Sequence, residues 1–62
     1  MWKVIYIAPT AKIADRIKDR LGEEGFLVQV RPISMSKNQF EILVPEGELE
    51  DVQEVLNTIL HS

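Results

Sequence analysis

Two stretches of strict two-residue alternation constrain this chain more than any other feature. Phe26, Val28 and Val30 alternate with Leu27, Gln29 and Arg31, and Phe40, Ile42 and Val44 alternate with Glu41 and Leu43. A period of two places every second side chain on the same side of an extended chain, so each run predicts a strand with one buried face. The stretch Ser34 to Asn38 between them is polar and turn-forming. Pro32 comes near the end of the first run and Pro45 closes the second, because proline donates nothing to a ladder. The pair reads as a β-hairpin.

Ahead of the hairpin, Trp2 to Ala8 (WKVIYIA) is β-branched and aromatic, too short for a helix, and stopped by Pro9. It predicts a first strand. Thr10 supplies a hydroxyl at an N-cap position, and Ile13, Ala14, Ile17 and Leu21 recur at helical spacing, so a helix is expected from about residue 11 to 24. Gly25 can take the left-handed conformation after its last turn and let Phe26 fold back toward Leu21, as in a Schellman cap. After Pro45, Glu46 and Glu48 sit where a helix N-terminus favours anions. Leu49, Val52, Val55, Leu56, Ile59 and Leu60 then form a broad apolar stripe, which predicts a second helix reaching almost to Ser62.

The strand-helix-strand unit requires parallel strands with a right-handed connection, and the hairpin makes the third strand antiparallel to the second. Inserting the third strand between the others gives sheet order 1-3-2 with both helices on one face. The expected class is therefore α+β, a βαββα two-layer sandwich of ferredoxin-like form lacking the fourth strand, in one domain over residues 1–62. Such a fold leaves strand 1 as a bare edge and the far face of the sheet uncovered. If Phe26, Val28, Val30, Phe40, Ile42 and Val44 face the helices, then Leu27 and Leu43 face away. Beside them stand either Trp2, Val4 and Tyr6 or, in the other register of strand 1, Ile5 and Ile7. An apolar patch of this kind marks an interface, so Trp2, Val4, Tyr6, Leu27 and Leu43 are the candidate contact residues of a homodimer or small homo-oligomer.

Length supports the same expectation. A chain of 62 residues buries only about 60% of its unfolded surface, and about eighteen apolar side chains can be placed inside. The core is thin, and a partner chain would deepen it. There is no cysteine, which removes disulfides and thiolate metal sites and points to the cytoplasm. No apolar run approaches the ~20 residues that span a bilayer, and no leader pattern opens the chain. The net charge of −3 argues against nucleic acid, which needs a concentrated basic face. Residues 1–37 carry all seven Lys and Arg with four acids, whereas residues 38–62 carry six acids and neither Lys nor Arg. A polarised surface is expected.

Few residues suggest chemistry. His61, the lone histidine, is penultimate, without the fixed place and orienting partner that a general base requires. Glu46, Glu48, Glu50, Asp51 and Glu54 lack the ligand spacing of a calcium loop and read as compensation of a helix dipole. Lys12, Arg16 and Arg20 share a spacing of four, as do Asp15, Asp19 and Glu23, which suggests a salt-bridged helix face. The basic stripe with the helix N-terminus at Thr10 and Lys12 offers an alternative, an anion site. Ser34, Ser36 and Lys37 fit turn chemistry better than a nucleophile, since a loop tip shields nothing. Trp2 fits a core or dimer contact better than ligand stacking. No catalytic, cofactor or metal residues are expected.

The segments VIYIAP (Val4 to Pro9), EEGF (Glu23 to Phe26) and ILVPE (Ile42 to Glu46) leading into a terminal amphipathic helix resemble the small prokaryotic signal transducing proteins, a bacterial family of undefined function. The resemblance spans nearly the whole chain and implies a ferredoxin-like sensor or regulatory module, without active-site residues to carry over. The connection from Ile33 to Asn38 is shorter than in that family. The expected function is a non-enzymatic interaction or regulatory module that self-associates and binds a protein partner. The alternative is a sensor that takes an anionic metabolite or nucleotide at the helix 1 N-terminus or across a dimer interface.

Overall fold

The computed structural model describes residues 1–35 and 38–61. Its elements are β1 (Trp2–Ala8), α1 (Ala11–Glu23), β2 (Gln29–Pro32), β3 (Phe40–Pro45) and α2 (Leu49–Leu60), with a 3-10 turn (Glu46–Glu48) leading into α2. The three strands form one sheet in the order β1-β3-β2. Both outer strands run antiparallel to β3 and hence parallel to each other, as the crossover through α1 demands.

Local chemistry sets the boundaries of α1. The Thr10 hydroxyl accepts a hydrogen bond from the Ile13 N–H at 3.2 Å, satisfying one of the orphan donors of the first turn. At the other end Phe26 N–H donates to Leu21 O at 3.1 Å and Gly25 N–H to Gly22 O at 3.0 Å. These are the two bonds of a Schellman motif, with Gly25 at φ 91°.

That cap also shortens β2. Alternation predicts strand from Phe26, but the ladder begins at Gln29. Phe26 N–H is committed to the end of α1, and Leu27 N–H turns instead toward Glu48 Oε1 at 3.5 Å. Neither amide is free to pair with β3. Phe26 and Val28 nevertheless pack against the core, so the sidedness of the run survives where its hydrogen bonding does not.

The core lies between the helices and one face of the sheet. Ala8, Ala14, Ile17, Leu21, Ile42, Val44, Val52, Leu56 and Ile59 form its buried cluster. Around it pack nine partly buried residues, among them Tyr6, Ile13, Phe26, Phe40 and Val55. Their number matches the roughly eighteen apolar side chains expected, but half remain partly open to water, and Leu60 of the predicted α2 stripe is exposed instead. Ile42 and Val44 of the central strand share this cluster with residues of both helices, which places α1 and α2 on the same side of the sheet.

β1 departs from regular pairing. Trp2, Lys3 and Val4 oppose Pro45, Val44 and Leu43, whereas Tyr6, Ile7 and Ala8 oppose Ile42, Glu41 and Phe40. Ile5 has no partner, and the register slips there by one residue. A bulge of this kind exchanges the two faces of a strand along its length.

Candidate functional site: the open face of the sheet

Directly opposed residues of an antiparallel pair point to the same side, so the face away from the helices can be read from the register. Its first row is Trp2 and Pro45; its second is Val4, Leu43 and Gln29; its third is Ile7, Glu41 and Arg31. Trp2, Val4 and Ile7 are 45%, 46% and 41% exposed, and Leu27, just before β2, is 64% exposed. Leu43 is only 4% exposed, yet it lies outside the core cluster. It sits in the middle of the central strand, flanked by Val4 on one side and Gln29 on the other.

The bulge corrects the expected composition of this patch. Sequence parity offers two alternatives for β1, Trp2, Val4 and Tyr6 outward or Ile5 and Ile7 outward. Each holds for half of the strand. Before the slip Trp2 and Val4 face out; after it Ile7 faces out, and Tyr6 turns inward opposite Ile42 and packs against the core with Ile5. Tyr6 therefore leaves the set of outward residues and Ile7 enters it. Nothing in the string WKVIYIA signals the slip, because both faces of this strand carry large apolar side chains.

A charged pair bounds the patch at one end. Arg31 and Glu41 are cross-strand neighbours with Nη2 to Oε1 at 3.4 Å and the Arg31 side chain half exposed. Such a surface pair stabilises by at most about 1 kcal/mol, and its value lies in defining where the apolar surface stops.

No family model, curated protein or solved structure matches this chain.

The remaining candidates lie elsewhere. Thr10 caps α1 with its hydroxyl as acceptor, and Lys12 is exposed on the first turn. The acidic residues from Glu46 to Glu54 are spread over the 3-10 turn and α2, and among the described residues no group of three or more His, Cys, Asp or Glu is gathered to hold a metal ion. His61 is exposed, and its N–H donates to Asn57 O at 3.1 Å, closing α2. Ser34 is exposed in the hairpin turn; Ser36 and Lys37 lie outside the described residues. No helix is long and apolar enough to cross a membrane among those described.

The salt-bridged face expected on α1 does not form. Among the described residues Arg31–Glu41 is the one ion pair. Within the two stripes every i,i+4 neighbour has the same sign, as in Lys12, Arg16, Arg20 and Asp15, Asp19, Glu23. Between the two stripes the opposite-sign neighbours at i,i+3 (Lys12–Asp15, Arg16–Asp19, Arg20–Glu23) place base before acid, the weaker orientation relative to the helix dipole.

Proposed function

We propose that this chain is a non-enzymatic interaction and regulatory module that works as a homodimer through the open face of its sheet, in the cytoplasm. The single observation that carries the reading is the apolar patch of Trp2, Val4 and Ile7 beside the buried Leu43. The shape supports it: the molecule is a slab of 29 × 29 × 15 Å, broad enough on one face for the ~800 Å² that one partner contributes to a standard interface.

Face-to-face pairing would stack two sheets with the helices outside, which buries both copies of Trp2, Val4 and Ile7. Glu41 and Arg31 would lie at the rim, where charge steers association more than it adds affinity. The resemblance to small signal transducing proteins accords with a module whose output is a change of partner; a heterologous protein partner would compete for the same face.

Sedimentation velocity tests the reading. At about 100 µM, where even a sub-standard interface is populated, the chain is expected to sediment as a dimer. Ile7→Lys should convert it to a monomer with an unchanged far-UV spectrum. A wild-type chain that sediments as a monomer at that concentration overturns the proposal.

A further inference from the structure

On the helix side of the sheet, away from the open face, the last turn of α2 meets α1 over the inward half of β1. A cleft of about 190 Å³ opens there, lined by Tyr6, Ile13, Arg16, Ile17, Ile59 and Leu60. The bulge in β1 creates one wall, since it is the register slip that turns Tyr6 inward. Four of the six lining residues are Ile or Leu, and none is acidic. The two polar groups on the wall are donors, the Arg16 guanidinium and the Tyr6 phenol. Neither has a hydrogen-bond or ion-pair partner among the described residues. Lys12 and Arg20 stand one helical turn to either side of Arg16 on the same stripe of α1.

A second concavity differs in chemistry. A larger but broadly open depression of about 460 Å³ lies along α2, lined by Phe26, Asp51, Glu54, Val55, Asn57 and Thr58. Its two carboxylates repel anions and its apolar wall is thin. In a chain of net charge −3, the cleft at Arg16 brings together an apolar surface, one uncommitted cationic donor and one neutral donor.

The geometry points to this cleft as a binding site for a small monocarboxylate with an apolar body, of the size of benzoate or a short branched-chain acid. The carboxylate accepts from the Arg16 guanidinium and the Tyr6 hydroxyl, and the apolar body displaces water from Ile13, Ile17, Ile59 and Leu60. Size sets the class. An apolar cavity of about 150 Å³ holds benzene, and 190 Å³ leaves room for one carboxylate in addition. Pockets for drug-sized ligands and nucleotides are typically about 300 Å³ or more, so a smaller acid is the better match. The inference does not depend on dimerisation, because the cleft and the open face lie on opposite sides of the sheet.

Titration of the full chain with sodium benzoate, followed by the methyl resonances of Ile13, Ile17, Ile59 and Leu60, tests it. Saturable shifts confined to those methyls are expected, with a dissociation constant in the millimolar range for so few atoms (~nine). Arg16→Gln should weaken binding about tenfold, the worth of one charge-assisted hydrogen bond. Tyr6→Phe should weaken it by a smaller factor. Lys12→Gln, on the same stripe but outside the cleft, should leave it within about twofold once screening is matched by salt. Benzyl alcohol, which lacks the charge, should bind more weakly than benzoate. The proposal is overturned by an absence of saturable shifts, by equal losses in Arg16→Gln and Lys12→Gln, or by benzyl alcohol binding as well as benzoate. Arg16 and Lys12 are both exposed, so these variants are expected to fold, and a retained far-UV spectrum checks it.

Discussion

Gly22 and Gly25 stand three residues apart at the end of α1 and answer opposite demands. Gly25 holds φ at 91° to close the Schellman motif, a conformation in which a Cβ is strained even though nothing lies within 4 Å of where it would be. Gly25→Ala is expected to destabilise the fold by about 1 kcal/mol. Gly22 is an ordinary helical residue, and an added Cβ there also meets nothing within 4 Å. Gly22→Ala should therefore stabilise by about 0.5–1 kcal/mol, because it removes the excess backbone entropy of glycine. Thr10→Ala should cost about 1 kcal/mol through the lost N-cap bond. Urea unfolding checks all three as shifts in midpoint at constant slope. Thr10 and Gly25 were legible in the sequence because capping depends on a side chain or a missing Cβ acting over three to five residues.

Elements differ in how firmly they are held. β3 is paired along both edges, and its Ile42, Leu43 and Val44 are buried. β2 spans four residues, is paired on one side and ends in proline. Amide exchange should follow that order, with Ile42 to Val44 opening only on global unfolding and the amides of β2 exchanging several-fold faster. Comparable protection across the two strands would contradict the assignment of β2 as a weak edge. β1 is the other edge, longer and almost uncharged, and its bulge at Ile5 interrupts the straight row of donors and acceptors that invites indiscriminate pairing. The start of β2 and the bulge were not legible. Both depend on what the backbone meets across space, Glu48 Oε1 for the Leu27 amide in one case and β3 in the other; the Phe26 bond to Leu21 O belongs to the local cap.

At the scale of the whole molecule the decisive fact is that a two-layer slab covers one face of its sheet and leaves the other to water. Stability is then coupled to association, and the melting temperature should rise with protein concentration between about 5 and 500 µM in the wild type but not in Ile7→Lys. A concentration-independent melting temperature in both proteins would count against the dimer. Ligand in the Arg16 cleft would add to stability from the other side of the sheet, independently of that slope.

The sequence by itself determined the order of the elements, the caps of α1, the sheet order and which residues of β3 and both helices form the core. Those features follow from periodicity and from chemistry confined to one turn, which neighbouring residues encode directly. Tertiary structure decided which half of β1 faces which way, where β2 begins, that the charges of α1 find no ion-pair partner among the described residues, and that Tyr6 and Arg16 share a cleft. A strand that is apolar on both sides carries no signal for its register. Only packing against β3, with Ile5 displaced from the ladder, selects Ile7 for the open face and Tyr6 for the cleft.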